Sequence, residues 1–200
     1  MRKPMIVLFL GLAAGGCGVA VRPEDILSDD FSVEVPGRWT TTMGAAWQVR
    51  DGELVTEPKT GKYQKAMAVV DLPMKEGVVE VVIRSKHERS ASVGIVGKFI
   101  SGKKCLYMRI AYWKAMVSDH CPGDEIANIG PFSLYNPEHK GAEGTPVHLK
   151  MVIRDGKIGV YIEGLLRCVL KDPYPDQAGR PGVYSESSSY VSSFTARRTK

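Results

Sequence analysis

The sequence contains no apolar run that could cross a membrane as a helix and no stretch with helical periodicity. The longest apolar run is residues 5–14, whereas a membrane-spanning helix needs about 20 residues. Between the short apolar runs that follow, glycine-containing turn signals recur too often for an amphipathic helix to form. The sequence therefore predicts neither a transmembrane helix nor a helical domain.

Blocks of one charge sign and metal-ligand spacings are also missing. The net charge is +5, from 27 Lys and Arg against 22 Asp and Glu, and the basic residues are scattered along the chain. A nucleic-acid-binding surface needs basic residues concentrated on one face, so we expect no nucleic-acid partner. The four cysteines form no C-x-x-C pair and the four histidines show no metal spacing, so we expect no metal cofactor.

The first twenty residues are typical of an export signal. Two basic residues precede the apolar run 5–14, and small residues follow it. One interpretation is a bacterial lipoprotein signal in which Cys17 is lipidated and becomes the mature N-terminus; the other is ordinary cleavage after Ala20. The small residues before Cys17 favour the lipoprotein. We expect a periplasmic or cell-envelope protein whose lipid anchor contacts the membrane.

Three cysteines remain in an exported chain, where the compartment permits disulfides. Cys105 and Cys121 are equidistant in sequence from Trp113, so a hairpin that turns there would place them opposite each other. The alternatives are a Cys105–Cys121 disulfide and free buried thiols, and the sequence leaves both open for these residues and for Cys168.

The rest of the chain alternates short β-branched or aromatic runs with tight turn signals. Many short strands at regular spacing predict an all-β fold of two antiparallel sheets packed face to face. We divide the chain into an export signal at 1–20, a polar tether at 21–28, one sandwich domain at 29–196 and a basic tail at 197–200.

The clearest strand pair is "VHLKMVIRDGKIGVYIEG", residues 147–164. Its Asp155-Gly156 dipeptide is typical of a two-residue type I′ turn, which needs positive φ at both positions. Strict alternation predicts that one face is core, formed by Leu149, Met151, Ile153, Ile158, Val160 and Ile162.

Three segments resemble the concanavalin A-like lectin/glucanase superfamily, which includes laminin-G-like domains. They are the opening "DDFSVEVPGRWTTTMGAAWQVRDGELV" (29–55), the strand pair with its continuation at 147–170, and the closing "GRPGVYSESSSYVSSFTA" (179–196). The resemblance implies a jelly-roll sandwich with one concave sheet. Within the superfamily, "SVGIVGK" (92–98) is most similar to an N-S-G-I-x-x-R strand of bacterial exported domains named after 3-keto-disaccharide hydrolases, with Lys98 in place of the arginine.

The segment 104–121 supplies the best candidate site for a ligand. On a strand, Tyr107, Arg109 and Trp113 share one face, with neighbouring side chains of that face about 7 Å apart, and Lys98 would lie on the adjacent strand. Aromatic rings stack on sugars, and planar polar groups bind hydroxyls. The alternative is that Trp113 caps a hairpin and Arg109 pairs with a carboxylate.

We therefore predict a carbohydrate-binding, lectin-like module without catalysis, with carbohydrate or another extracellular ligand as its partner. The alternatives are a glycoside hydrolase or lyase of the keto-disaccharide type and a laminin-G-like protein-interaction module. No catalytic residue is assigned, because the glucanase motif E-x-D-x-x-E is absent from the sequence. The resemblance allows calcium, but no motif in the sequence fixes a calcium site.

Overall fold

The structure is a computed structural model and describes residues 22, 25–57, 65–85, 92–111, 114–119, 125–131 and 145–199. Within these ranges the chain forms no α-helix, and hence none that is long and apolar enough to cross a membrane. It forms fifteen β-strands: β1 Ile26–Asp29, β2 Trp39–Met43, β3 Trp47–Arg50, β4 Glu53–Thr56, β5 Ala66–Val70, β6 Glu76–Ser85, β7 Ser92–Ser101, β8 Lys104–Ala111, β9 Lys114–Ser118, β10 Glu125–Pro131, β11 Val147–Arg154, β12 Lys157–Ile162, β13 Leu165–Lys171, β14 Arg180–Ser185 and β15 Ser189–Thr199.

The strands form two antiparallel sheets. The eight-stranded sheet has the order β13-β12-β11-β6-β15-β4-β3, with β1 added beside β15, and the seven-stranded sheet has the order β10-β9-β8-β7-β14-β5-β2. The chain passes from one sheet to the other where β6 leads to β7 and where β14 leads to β15, whereas β7–β8 and β11–β12 are hairpins within one sheet. The predicted all-β, two-sheet antiparallel sandwich is confirmed.

A single apolar core lies between the two sheets. Val81 and Ile83 of β6 contribute to it from the eight-stranded sheet, and Ile95 and Met108 contribute from the seven-stranded sheet, all at most 1% exposed. Trp47 at the start of β3 joins the same core. Burying a large aliphatic side chain stabilises the fold by about 1.5–3 kcal/mol, so this layer supplies most of the driving force for packing the sheets.

The hairpin at 147–164 forms as its pattern predicts. Asp155 and Gly156 have φ values of 51° and 66°, which is the left-handed pair that a type I′ turn requires. The six side chains predicted as core are each at most 1% exposed. The sequence alternation and the D-G turn together determine the register of β11 against β12.

The sandwich extends beyond the predicted domain at both ends. Residues 26–28 of the expected tether belong to β1, which pairs with β15, and residues 197–199 of the expected tail continue β15 against β6. An ion pair ties the two ends together: Arg198 donates from Nε and Nη2 to Oδ1 of Asp25, at 2.9 and 2.7 Å. Arg197 and Arg198 are therefore part of a sheet.

Candidate functional site

The alternation predicted for 104–111 is present in β8. Leu106, Met108 and Ile110 belong to the core between the sheets. Cys105 and Tyr107 point to the opposite face of the seven-stranded sheet, where they belong to a separate apolar cluster. Arg109 has the same parity as Tyr107, so it lies on this outer face as well.

The outer face of the seven-stranded sheet carries a second apolar layer, which we call the outer cluster. Its residues are at most 1% exposed: Met67, Val69, Val96, Cys105, Tyr107 and Tyr184. The rings of Tyr107 and Tyr184 lie 4.7 Å apart between centroids, tilted by 36°, which is within the range of favourable aromatic pairs. Tyr107 therefore packs against Tyr184 and does not offer its ring face to a ligand.

Next to the outer cluster lies a partly exposed ion pair, Arg109 with Glu186. Arg109 Nη1 donates to Glu186 Oε1 at 2.5 Å, and the side chains are 23% and 18% exposed. The hydroxyl of Tyr184 donates to the same carboxylate oxygen at 2.5 Å. Burial and this hydrogen bond raise the pKa of Tyr184 well above its usual 10.0, so the phenol stays protonated as a donor. Arg109 Nε is buried and has no hydrogen-bond partner among the residues that the structure describes.

The turn between β14 and β15 positions Glu186. The backbone N–H of Glu186 donates to the carbonyl of Ser92 at 2.8 Å. On either side, serine hydroxyls close the turn: Ser185 Oγ accepts from the N–H of Ser187 at 3.0 Å and lies 2.6 Å from Ser189 Oγ. Serine side chains favour turns because they bond to nearby backbone, and the serine-rich sequence at 185–189 thus sets where the carboxylate points.

Lys98 occupies a different environment from Arg109. Its amine is buried and donates to Asp172 Oδ2 at 2.6 Å and to the carbonyl of Tyr174 at 2.9 Å. The two charged side chains are 0% and 1% exposed. A β-bulge between Val96 and Lys98 shifts the register, so that Lys98 pairs with core-facing Leu106. The structure thus places Lys98 in a buried ion pair and away from the Arg109–Glu186 pair.

The protein is similar to known proteins in its structure and not in its sequence. No protein-family model matches the sequence, and no curated protein sequence matches it. Among solved structures, a Bacillus licheniformis beta-glucanase is similar with a TM-score of 0.63 at 10% identity, over 89% of this chain and 100% of that one. An apo Crh5 transglycosylase gives 0.64 at 13% identity, over 88% and 85%.

A third similar structure is the carbohydrate binding module CBM66 from Bacillus subtilis, with a TM-score of 0.58 at 14% identity, over 80% of this chain and 92% of that one. The chain has a concanavalin A-like jelly-roll fold. The jelly-roll sandwich that the resemblance implied is therefore confirmed. At these identities the likeness concerns the fold, and the jelly roll alone does not specify a ligand.

Several predicted residues fall outside the described part of the chain. These are Trp113 of the candidate site, Cys121 of the candidate disulfide and Cys17 of the lipoprotein signal. Cys105 is disulfide-bonded, and its pairing with Cys121 stays a prediction. Cys168 is a free thiol.

The sequence did not identify two residues of the site. Glu186 and Tyr184 lie about 75 residues after Arg109. Their segment has the pattern of the end of a strand, and no spacing in the sequence connects these two residues with Arg109. The described residues contain no group of three His, Cys, Asp or Glu side chains that could hold a metal ion. Asp29, a buried acid in this part of the chain, accepts from Trp39 Nε1 at 3.0 Å and lies 3.3 Å from Arg38 Nη1.

Proposed function

We propose that this protein is an exported, lipid-anchored module that binds carbohydrate without catalysis, through the Arg109–Glu186 pair. One observation carries the proposal: this pair is partly exposed on the outer face of the seven-stranded sheet, with the Arg109 and Glu186 side chains 23% and 18% exposed. The exposed part of the pair offers guanidinium N–H donors and carboxylate acceptors to the hydroxyls of a ligand.

The chemistry of the pair suits a polyhydroxyl ligand. A guanidinium presents donors in a plane, and a carboxylate accepts through several lone pairs. Arg109 and Glu186 carry opposite charges, so together they favour no strongly charged ligand. Tyr184 packs against Tyr107 and donates to Glu186, which also accepts from Arg109. These contacts hold both planar groups in place before the ligand arrives and so reduce the entropy cost of binding.

The fold supports the same function. The similar solved structures include one named as a carbohydrate binding module and one named as a beta-glucanase. Glu186 is engaged by both Arg109 and Tyr184. A carboxylate held in this way is suited to accept hydrogen bonds from a saccharide rather than to exchange protons with a glycosidic oxygen.

The anchor follows from the N-terminal sequence. If Cys17 is lipidated, Ile26, the first residue of β1, lies nine positions after it. An extended chain spans at most about 3.6 Å per residue, so the sandwich would lie within roughly 30 Å of the membrane. Replacing Cys17 by Ala should move the protein from the membrane fraction to the soluble fraction, and a mature N-terminus without a diacylglyceryl cysteine would contradict the anchor.

The binding proposal is tested with the chain from residue 18 onward, which contains all fifteen described strands. The purified protein is screened against a polysaccharide panel by affinity electrophoresis, and Arg109→Gln and Glu186→Gln are compared with it. A hydrogen bond to a charged group contributes about 1.5–3 kcal/mol, so each change should weaken binding about 10- to 100-fold.

The matched control is Arg84→Gln, since Arg84 forms an ion pair of the same 2.5 Å length with Glu53 on the other sheet. This control should bind the polysaccharide normally. If Arg109→Gln binds as tightly as the unchanged protein, the site is elsewhere. Product analysis on the same panel tests the absence of catalysis, and cleavage of any member would favour the glycoside hydrolase or lyase alternative.

A further inference from the structure

The outer face of the eight-stranded sheet carries three cations side by side, which we call the basic row. Arg154 is the register partner of Lys157, and Lys157 is the register partner of Lys171. The three residues are exposed and lie on neighbouring strands about 5 Å apart. Like charges directly opposite each other destabilise a sheet. The basic row is therefore unfavourable for the sheet itself and favourable for an anionic partner.

The acidic groups near the basic row leave most of its charge in place. Asp155 Oδ2 lies 3.4 Å from Arg154 Nε, but these side chains are 80% and 74% exposed, and such pairs are weak. Glu76 accepts from the backbone N–H of Asp155 at 2.8 Å. Neither Lys157 nor Lys171 forms an ion pair within the part of the chain that the structure describes. The two lysines therefore present their charges to the solvent.

Apolar residues lie beside the basic row, two positions along each strand and about 7 Å away, and we call them the apolar row. Its members are Ile26 of β1, Val78 of β6, Val152 of β11, Gly159 of β12 and Val169 of β13, with Arg197 of β15 between the first two.

The apolar row is most exposed at its two ends. Ile26 and Val169 are 44% and 57% exposed, and Leu166, on the same face of β13, is 52% exposed. These are three of the six large apolar side chains that are exposed in the described residues. Apolar side chains next to cations suit a membrane interface, where the former enter the boundary of the acyl chains and the latter contact phosphates.

The segment that leads from Cys17 leaves the sandwich on the side of the basic row. Ile26 belongs to the apolar row, and the strand pairs from β1 to β11 are antiparallel. Going back along β1 from Ile26 therefore follows the same direction as going from Val152 to Arg154. The extended segment reaches at most roughly 30 Å. A membrane that holds Cys17 would thus lie within reach of both rows.

We propose that the basic row and the apolar row dock on an anionic phospholipid surface, the one that holds the anchor. The cations contact phosphate oxygens, and Ile26, Leu166 and Val169 enter the boundary between headgroups and acyl chains. The docking rests on the lipid anchor proposed above, because a short tether keeps the domain at roughly millimolar effective concentration, so that a weak surface contact is enough. In this orientation Arg109 and Glu186, on the outer face of the other sheet, face away from the membrane.

The first test is sedimentation of the chain from residue 18 onward with vesicles of phosphatidylcholine, alone or mixed equally with phosphatidylglycerol. The chain should bind the mixed vesicles, more weakly as the salt concentration rises. Replacing both Lys157 and Lys171 by Gln should weaken this binding about 25-fold, since each basic residue near an anionic surface contributes about fivefold. The matched control replaces Lys103 and Lys104, two exposed lysines where β7 leads to β8 on the other sheet, and should bind nearly as the unchanged chain does.

A second variant tests the apolar row. Val169→Glu places a negative charge at the acyl boundary and should weaken binding to the mixed vesicles about tenfold or more. The matched control Val33→Glu changes a valine that is 69% exposed in the connection between β1 and β2, and should bind normally. Both positions are exposed, so both variants should keep the circular dichroism spectrum and melting temperature of the unchanged chain.

The orientation is measured on the complete lipidated protein in nanodiscs that contain a gadolinium-chelating lipid. The backbone amide signals of Lys157, Val169 and Lys171 should broaden much more than those of Tyr107 and Tyr184, which lie on the other sheet. Stronger broadening at Tyr107 and Tyr184 would mean that the opposite face lies on the membrane, and would overturn the proposal.

Three further results would overturn it. These are no binding of the chain to the mixed vesicles at low salt, equal losses in the two double-lysine variants, and a dimer in sedimentation equilibrium that Val169→Glu dissociates, which would assign this face to a second copy of the chain. The vesicle assay uses a chain without Cys17. Its failure therefore leaves the lipid anchor to the Cys17→Ala experiment and polysaccharide binding to Arg109→Gln.

Discussion

The buried Lys98–Asp172 pair allows a quantitative prediction for the substitution Lys98→Met. In the folded protein the amine donates to Asp172 Oδ2 and to the Tyr174 carbonyl. Methionine fills a similar volume and removes the charge. The carboxylate of Asp172 would then remain buried without its cation. Of the contacts described for this group, only the hydrogen bond from the backbone N–H of Tyr174 to its Oδ1, at 2.8 Å, would be left.

The expected loss of stability is large because the desolvation of Asp172 is no longer compensated. Removing one partner of a buried ion pair costs about 3–5 kcal/mol. A domain of this size shifts its melting temperature by about 2–4 °C per kcal/mol. Lys98→Met should therefore melt roughly 6–20 °C below the unchanged protein. The total free energy of unfolding of such a domain is about 5–15 kcal/mol, so the variant should remain folded at room temperature in most of this range.

Urea unfolding followed by tryptophan fluorescence measures the effect. Lys150→Met is the matched control, because Lys150 forms an exposed pair with Glu80 at 3.0 Å, with the side chains 33% and 36% exposed. Exposed pairs contribute about 0–1 kcal/mol, so this variant should lose no more than that. The double substitution Lys98→Met with Asp172→Leu should recover part of the stability, since it no longer buries a lone charge.

Equal losses for Lys98→Met and Lys150→Met would refute the argument, because they would mean that Lys98 is solvated like a surface lysine. The same variant also tests the role that the sequence suggested for Lys98 in a ligand groove. Its amine is fully engaged inside the protein, so Lys98→Met should bind polysaccharide as the unchanged protein does at a temperature where it is folded.

Three further predictions follow from ionisable groups. The pKa of Tyr184 is raised by burial above its usual 10.0, so its stabilisation is complete below about pH 10 and is lost as the pH rises; Tyr184→Phe should show a shallower loss of unfolding free energy above pH 10, and an unchanged slope would contradict this. The hydrogen bond from Arg198 lowers the pKa of Asp25 below 3.8; NMR titration should detect this, and Arg198→Gln should return the pKa toward 3.8. Burial raises the pKa of the Cys168 thiol above 9.0; mass spectrometry should find it alkylated by iodoacetamide more slowly than glutathione at neutral pH, and equal rates would show a solvated thiol.

The parts of the fold that the sequence predicts are those determined by local chemistry. The 147–164 hairpin follows from period-two alternation and from a D-G turn, and both act within neighbouring residues. The same reasoning assigned the two faces of β8 correctly. In each case a buried face needs apolar side chains at every second position, so the pattern in the sequence and the orientation in the sheet have one physical cause.

The parts that escaped prediction depend on contacts far apart in sequence. Alternation shows that Tyr107 points away from the core, but it does not show that this second face is covered too. Alternation also does not predict the bulge after Val96. This bulge gives β7 one extra residue and puts Lys98 opposite core-facing Leu106. Counting by twos from Val96 would place Lys98 on the outer face, and the bulge reverses that result.

Two ion pairs, whose cations lie on β7 and β8, show why the exposure of a pair separates a structural role from a binding role. Lys98–Asp172 and Arg109–Glu186 both join residues more than 70 positions apart, and in the sequence each looks like a cation without a nearby acid. In the fold the first pair is 0% and 1% exposed and the second 23% and 18%. A fully enclosed pair cannot form hydrogen bonds with a ligand, and the removal of one partner lowers the stability of the fold because it leaves a lone buried charge. A partly open pair still has donors and acceptors that face the solvent, and these are the groups a saccharide can use. We therefore expect Lys98→Met to lower the melting temperature and leave binding unchanged, and Arg109→Gln to weaken binding at a smaller cost in stability.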